Sequence, residues 1–249
     1  MSDLVTVETD GRVAVVTVAD SDGGNAISAA LVEAVPAALA AAAADPAVHV
    51  IVAAGLPTVF AAGASREYLL TDERADVEPF VRAFPHCPLP VVAAMQGHAI
   101  GGGLSFGLYA DVPVLSERSR YAANFLNYGL VPEYGTTWLL PSRLGHTLGT
   151  EMLLTGRGYP GAELRARSAP VKVVPHESVF DTALELARGM ARAPRYALEL
   201  LKGQFAERAL AEGDAAIAIE AGRHEQAWGS ADFRRLVEQR YGRAEEIAR

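Results

Sequence analysis

The chain has 249 residues, half of them hydrophobic, a formal net charge of −8 and a single cysteine, Cys87. This length can bury one substantial core, and the negative balance without a Lys/Arg run excludes a general nucleic-acid surface, which needs a basic stripe to neutralise phosphates. One cysteine rules out an intramolecular disulfide and fits a reducing compartment.

From the N-terminus, the first ten residues lack a basic-then-apolar signal, and the alanine-rich stretch 37–44 stops at Asp45-Pro46, short of membrane-spanning length. A soluble cytoplasmic protein is expected. The run VAVVTV at 13–18 predicts a strand, and Ser28 caps a helix with Leu31, Val32, Val35 and Leu39 at helical spacing. Pro36 is expected to kink that helix, because it removes one backbone bond. Apolar runs at 48–53, 90–95, 112–115 and 171–174 alternate with helical stretches, which predicts an α/β architecture with crossover connections.

Two of these strands lead into glycine-bearing turns, Gly55 to Glu67 and Gln96 to Gly107, and each turn opens a helix. Gly101, Gly102 and Gly103 carry no Cβ where the first helical N–H groups lack intrahelical partners, so an oxygen can approach them closely. The helix dipole adds partial positive charge there, which suits an oxygen acquiring negative charge. Two such turns can bring two amides onto one oxygen. The other reading is a tight turn with close helix-to-strand packing.

A helix starting near Ser65 places Tyr68 one turn after Ala64, with Asp72 a turn further on. Tyr68 then either looks back at that oxygen or is an ordinary half-buried tyrosine whose hydroxyl finds any partner. Glu67, Asp72, Glu73, Arg74 and Asp76 read as a solvated loop. Glu133 precedes a helix expected over 138–144, where a carboxylate complements the dipole whatever else it does. After Pro194 three helices are expected, 195–211, 213–228 and 231–241, broken by Gly203, Gly213 and Gly229-Ser230. The six histidines are scattered singly, which predicts no metal cluster, and His98 beside the glycines either touches the site or orients the turn. Cys87, flanked by Pro85 and Pro88 in an expected loop, is a poor candidate nucleophile. The glycine triplet lacks the Lys-Ser/Thr of a P-loop.

Phe60-Ala61-Ala62-Gly63-Ala64-Ser65 and Gly97-His98-Ala99-Ile100-Gly101-Gly102-Gly103 resemble the paired signatures of the crotonase (enoyl-CoA hydratase/isomerase) superfamily. The likeness runs from Asn25-Ala26-Ile27-Ser28 onward. It implies an α/β fold, the ClpP/crotonase-like spiral of ββα units over residues 1–193, and a C-terminal helical region, 194–249, that packs over the active site and supports a homotrimer or hexamer. It also implies oxyanion-hole amides at Ala64 and Gly102, no metal, and no cofactor beyond an acyl thioester carried by coenzyme A or by the phosphopantetheine of an acyl-carrier protein.

The two glutamates of family hydratases map onto Ser105 and Phe125, neither of which is a carboxylate, although Ser105 can donate a hydrogen bond. Gly129-Leu130-Val131-Pro132-Glu133 resembles the single-glutamate Δ3,Δ2-enoyl-CoA isomerases. The larger likeness, through Gly63 to Leu69, Met95 to Gly103, Ala123-Asn124-Phe125, Tyr128-Gly129 and His224, is to the decarboxylating crotonases of polyketide β-branching cassettes. In that group the Tyr68 and His224 positions line the pocket. A lysine of that group appears here as Asp72, and a glycine appears as Glu133. A glutamate there repels a substrate carboxylate and favours proton transfer, as in dehydration or double-bond migration. The resemblance therefore implies an enolate-forming lyase or isomerase with Glu133 as main proton carrier and Tyr68 and His224 assisting. Ala62, Arg66, Ser105 and Phe125 are the expected substrate contacts, and Arg66 or Arg74 can restore the missing cation. A Δ3,Δ2-enoyl-CoA isomerase and a non-catalytic thioester-binding or scaffold subunit are the alternatives.

Overall fold

The computed structural model describes residues 4–71 and 76–241. The chain opens with the strands β1 (Val5–Asp10), β2 (Val13–Val18) and β3 (Ala26–Ile27) and the helix α1 (Ala29–Ala44). Next come β4 (Val50–Ala54), β5 (Val59–Ala61), β6 (Gly63–Ala64), α2 (Arg66–Leu70), α3 (Glu78–Val81) and α4 (Ala83–His86). A second unit holds β7 (Val91–Met95), β8 (His98–Ile100) and α5 (Gly102–Leu108). A third holds β9 (Val112–Ser116), β10 (Arg120–Ala122), a 3-10 turn (Asn124–Tyr128) and α6 (Thr136–Leu144). The elements α7 (His146–Thr155), β11 (Gly158–Pro160), α8 (Gly161–Ala166), β12 (Lys172–Val174) and α9 (Val179–Met190) precede the tail, α10 (Arg195–Trp228) and α11 (Ala231–Arg240).

Each unit gives one strand to each of two sheets. The larger sheet has the order β1-β2-β4-β7-β9-β12, antiparallel only between β1 and β2, and the smaller has the order β11-β10-β8-β5, antiparallel only between β10 and β11. This winding is the spiral of ββα units that the resemblance implies. A parallel sheet covered on both faces needs apolar residues at every position, and the two sides separate at period two. Ile51, Val91, Ala93 and Met95 face the main core with α1 and α5, whereas Val50, Val52, Val92 and Ala94 face Val179, Ala183 and Ala187 of α9. Behind the glycine turn, Phe106 of α5 stacks on Phe80 and Phe84 at 4.3 Å each, which fixes that helix against the core.

Helix α1 runs on through Pro36, the residue expected to kink it; packing of Leu31, Val35 and Leu39 into the core outweighs one missing backbone bond. Other expectations change. Pro85 lies in the short helix α4 rather than in a loop, and α6 begins at Thr136. The breaks expected at Gly203 and Gly213 are absent, and α10 is one helix of 34 residues. Glycine weakens a helix by about 1 kcal/mol relative to alanine but does not stop it, and tertiary contacts hold this one.

Those contacts are polar. Among the described residues the buried positions of α10 are Lys202, Gly213, Glu220 and His224. Lys202 Nζ lies 2.7 and 2.9 Å from the Asp111 carboxylate and donates to Phe84 O at 2.9 Å. Arg82, itself buried, reaches across to Asp214 at 2.7 Å and to Leu210 O at 3.3 Å. A side chain at Gly213 would stand 3.3 Å from Tyr109 Oη and 3.4 Å from Arg82 Nη2, so glycine there lets the helix lie against the loop before α6.

His98, between the glycine turn and β10, is half-buried, and its Nδ1 accepts from Arg120 N at 2.9 Å. It orients the turn and does not line the cavity described below. Burial, together with the charges of Arg120 and His176, holds its pKa below the usual histidine value.

Two outcomes follow. Gly222→Ala, where no atom lies within 4 Å of the added methyl, raises stability by about 0.5–1 kcal/mol in urea unfolding, whereas Gly213→Ala shows no such gain; equal gains contradict the seating of α10. Because the folded-state value of His98 is depressed, the unfolded chain binds the extra proton first. Its contribution is complete above about pH 6.5 and is lost as pH falls below that. The urea midpoint of the native protein therefore falls further between pH 7.5 and 5.5 than that of His98→Asn; parallel falls contradict the assignment.

Candidate active site

A cavity of about 100 Å³ opens where the first two glycine turns meet. Its floor includes Ala62, Gly63, Ala64, Gly101 and Gly102; Tyr68 and Phe125 stand on its sides, and His224, Trp228 and Tyr241 of the tail close it. Gly63 has φ +78°, and a Cβ there would fall 2.6 Å from Ile100 O and 3.6 Å from Gly102 N, so the two turns touch. Both readings of the triplet are present at once. Gly102 begins α5 and faces the cavity, while a Cβ on Gly103 would stand 2.3 Å from Ala61 O, in the helix-to-strand contact.

Asn25 explains why the first turn holds its shape. It is fully buried at φ +53°, its Nδ2 donates toward Val18 O, Val59 O and Phe60 O, and its Oδ1 accepts from Asp20 N at 2.9 Å. Its amide NH2 ties β2 to β5, and its oxygen holds the turn after β2.

On the opposite wall, Glu133 and His224 form a pair. His224 Nε2 lies 3.1 Å from Glu133 Oε2, and His224 Nδ1 lies 2.7 Å from Val131 O. A carbonyl only accepts, so Nδ1 carries a hydrogen and Nε2 faces the carboxylate. His224 Nε2 and the Glu133 carboxylate are close enough to exchange a proton, and the side chains are 5% and 22% exposed, enough burial to limit screening by water.

The loop carrying Glu133 has few idle polar groups. Thr136 Oγ1 donates to Glu133 O at 2.5 Å, which leaves Ser105 Oγ as the donor in its 2.8 Å contact with Thr136. Tyr109 Oη donates to Tyr134 O at 2.6 Å, and burial pushes the Tyr109 phenol up. Burial, with Glu133 adjacent, also pushes the Tyr134 phenol up, so it stays a neutral donor at the cavity wall. Tyr241 Oη donates to Ala64 O at 3.0 Å, joining the end of the tail to the first turn.

Of the residues singled out from sequence, Ala62, Ala64, Tyr68, Gly102, Phe125, Glu133 and His224 line this one cavity. Two do not. Ser105 is fully buried behind Thr136 and has no face on the cavity, because its hydroxyl is spent on the loop; Arg66 is exposed on α2. Asp72 and Arg74 lie outside the described residues. Tyr68 meets Trp228 edge-on at 6.1 Å, so its ring is packed as well as facing the cavity. Sequence reasoning missed Asn124, Tyr134, Thr136, Trp228 and Tyr241. Trp228 was within reach, since it follows His224 by one helical turn.

Cys87 is buried, and burial pushes its thiol up, which removes it as a nucleophile. Among the described residues no group of three or more His, Cys, Asp or Glu can hold a metal, and no helix is long and apolar enough to cross a membrane. A larger recess of about 540 Å³ lies under α10, lined by Trp138, Arg143, Leu198, Lys202 and Phe205 among others; it contains none of the predicted site residues, so the smaller cavity is the candidate.

The enoyl-CoA hydratase/isomerase family pattern matches residues 8–245. The chain belongs to that family, the crotonases. It is 41% identical over 163 residues to the bacillaene synthase decarboxylase PksI of Bacillus subtilis, a match that covers 64% of this chain and 65% of that protein, just under two thirds of it. Its structure is similar to the ECH2 decarboxylase domain of CurF from Lyngbya majuscula, with a TM-score of 0.90 and 33% identity over 96% of this chain and 99% of that one. It is equally similar to an enzyme solved from a dehydratase/decarboxylase couple involved in polyketide beta-branching, with a TM-score of 0.91 and 33% identity over 96% and 99%.

The pair's geometry has a direct readout. In spectra of protein labelled with ¹⁵N-histidine, His224 shows its fixed proton on Nδ1; a resonance pattern with Nε2–H and a bare Nδ1 contradicts the arrangement.

Proposed function

We propose that this chain is an enolate-forming crotonase of polyketide β-branching, acting by dehydration, decarboxylation or both on an acyl thioester borne by an acyl-carrier protein or coenzyme A. The observation that carries the reading is the Glu133–His224 pair on the wall of the cavity whose floor includes Ala64 and Gly102. The likeness to PksI and to the ECH2 domain supports the substrate class.

In this reading the thioester oxygen sits at the amides of Ala64 and Gly102, which stabilise the enolate without reorganising. For a 3-hydroxyacyl chain, the Glu133 carboxylate takes the proton from the alpha carbon, and the electrons of that bond move toward the carbonyl as the enolate. They return to form the alpha–beta double bond as hydroxide leaves with its own pair and takes the proton of His224. Glu133 then holds a proton and His224 holds none on Nε2. One hop across 3.1 Å restores the pair, so neither residue needs an outside acid or base. For a glutaconyl chain, the carbon–carboxylate bond breaks, its pair flows into the thioester as a dienolate, CO2 departs, and the pair's proton goes to carbon. Water must then reprotonate the pair. Tyr68 assists by donating from the cavity side, and Ala62 and Phe125 shape the chain's path.

The isomerase reading rests on one observation: Glu133 is the only carboxylate among the described residues lining the cavity. A single carboxylate that removes a proton at C2 and returns it at C4 fits that inventory, and turnover of plain 3-enoyl-CoA would favour it. A thioester-binding scaffold would exchange no alpha proton in deuterated water. The proposed assembly is a homotrimer or hexamer supported by the tail, residues 194–249, beside the spiral core, 1–193, in the cytoplasm.

The test is turnover of carrier-protein-linked 3-hydroxyacyl and glutaconyl substrates followed by mass spectrometry. Glu133→Gln is expected to lower turnover by about 10²–10⁴ while the fold is kept, the usual effect of losing a general acid or base. Undiminished turnover removes Glu133 from the mechanism.

A further inference from the structure

Glu220 is buried in α10 one helical turn before His224, and it meets the start of α6. Its Oε2 accepts from Gly135 N at 2.7 Å, and its Oε1 accepts from Thr137 N at 2.7 Å and from Thr137 Oγ1 at 2.5 Å. Gly135 is the N-cap residue of α6, and Thr137 gives its amide and its hydroxyl from the first turn. That helix has no N-cap side chain of its own, since Gly135 occupies the position at φ +77°, and a carboxylate from a residue more than eighty positions away takes the capping role.

We infer that Glu220 is the positioning residue that holds the Glu133 carboxylate against His224. The inference rests on the proposed proton-carrying role of that pair. Two side chains on one face of α10 grip the same loop on either side of Glu133. His224 Nδ1 donates to Val131 O before it, and Glu220 accepts from Gly135 and Thr137 after it. Between the grips, Thr136 Oγ1 donates to Glu133 O and Tyr109 donates to Tyr134 O. The loop therefore moves with the helix turn that carries His224, and the 3.1 Å separation inside the pair is set by one rigid element rather than by two independent ones.

Loss of a cap that only stabilised α6 would lower the melting temperature and leave the chemistry alone. The discriminating experiment is a double-mutant cycle on the carrier-linked 3-hydroxyacyl substrate, with ¹⁵N-histidine spectra of each ligand-free variant. Glu220→Gln places an amide NH2 against a backbone N–H and is expected to lower kcat by about 10–100-fold, with KM changed by less than about threefold. In a Glu133→Gln background the same substitution is expected to cost less than about twofold, because the pair it aligns is already disabled. The His224 resonances shift in Glu220→Gln even without substrate. Thr137→Val, which removes only the hydroxyl bond, gives a smaller loss of kcat that also vanishes in the Glu133→Gln background, and it serves where Glu220→Gln does not fold. An unchanged kcat, an equal loss in both backgrounds, or unmoved His224 resonances would overturn the inference. Full turnover by Glu133→Gln instead sinks the proton-carrying reading, a separate result.

Discussion

The structure depends on a long helix seated by polar side chains. Helix α10 lies on the spiral through Lys202, Glu220 and His224, with Arg82 reaching up from the core and Gly213 allowing the close approach. Buried polar groups persist only when they are satisfied, so each contact specifies one placement of the helix: a shift of a single turn would strand Lys202, the Gly135 amide and the Val131 carbonyl together. Truncating one partner of such a contact costs several kcal/mol through the charge left behind, which makes the seat a device for specificity more than a source of raw stability.

That seat also completes the candidate active site. The spiral by itself supplies the two turns and the loop bearing Glu133; the tail supplies His224, Trp228 and Tyr241. The candidate pair is thus split between core and tail. In the proposed function one shared proton gives it acid and base functions at once, and its overall charge is zero when that proton is present. A lone glutamate on that wall would repel a substrate carboxylate, whereas a glutamate sharing a proton with histidine repels it much less. A glutamate at position 133 is in this way compatible with the carboxylated chain of the proposed function.

The larger sheet apart from its edge strand β1, and the two turns, were legible in the sequence because their cause is local. Apolar runs of strand length and glycines at fixed spacing leave a signature in the chain itself, and Ser28 caps α1 as expected, accepting from Leu31 N at 3.3 Å. The second strand of each unit was not legible: β8 and β10 are three residues long and carry no periodicity. The tail was misread at Gly203 and Gly213 because glycine is a local break signal, whereas the contacts that carry α10 past both come from Lys202, Glu220 and His224, polar residues that no hydrophobic pattern marks. Ser105 was misplaced by carrying over a position from hydratases whose side chain here is used to brace Thr136. Glu220 gave only the i, i+4 spacing to His224, a weak hint until the loop it caps was in view.

The central claim is that one cavity brings two main-chain amides and one proton-carrying pair onto the same thioester. The most direct measurement is a crystal structure with a stable ketone analogue of an acyl-pantetheine thioester, bound as the phosphopantetheine adduct. The account predicts its carbonyl oxygen within about 3.1 Å of both Ala64 N and Gly102 N, and its alpha carbon on the side of Glu133 and His224. A carbonyl oxygen that meets neither amide, or an acyl chain lying outside this cavity with the pair untouched, would contradict it.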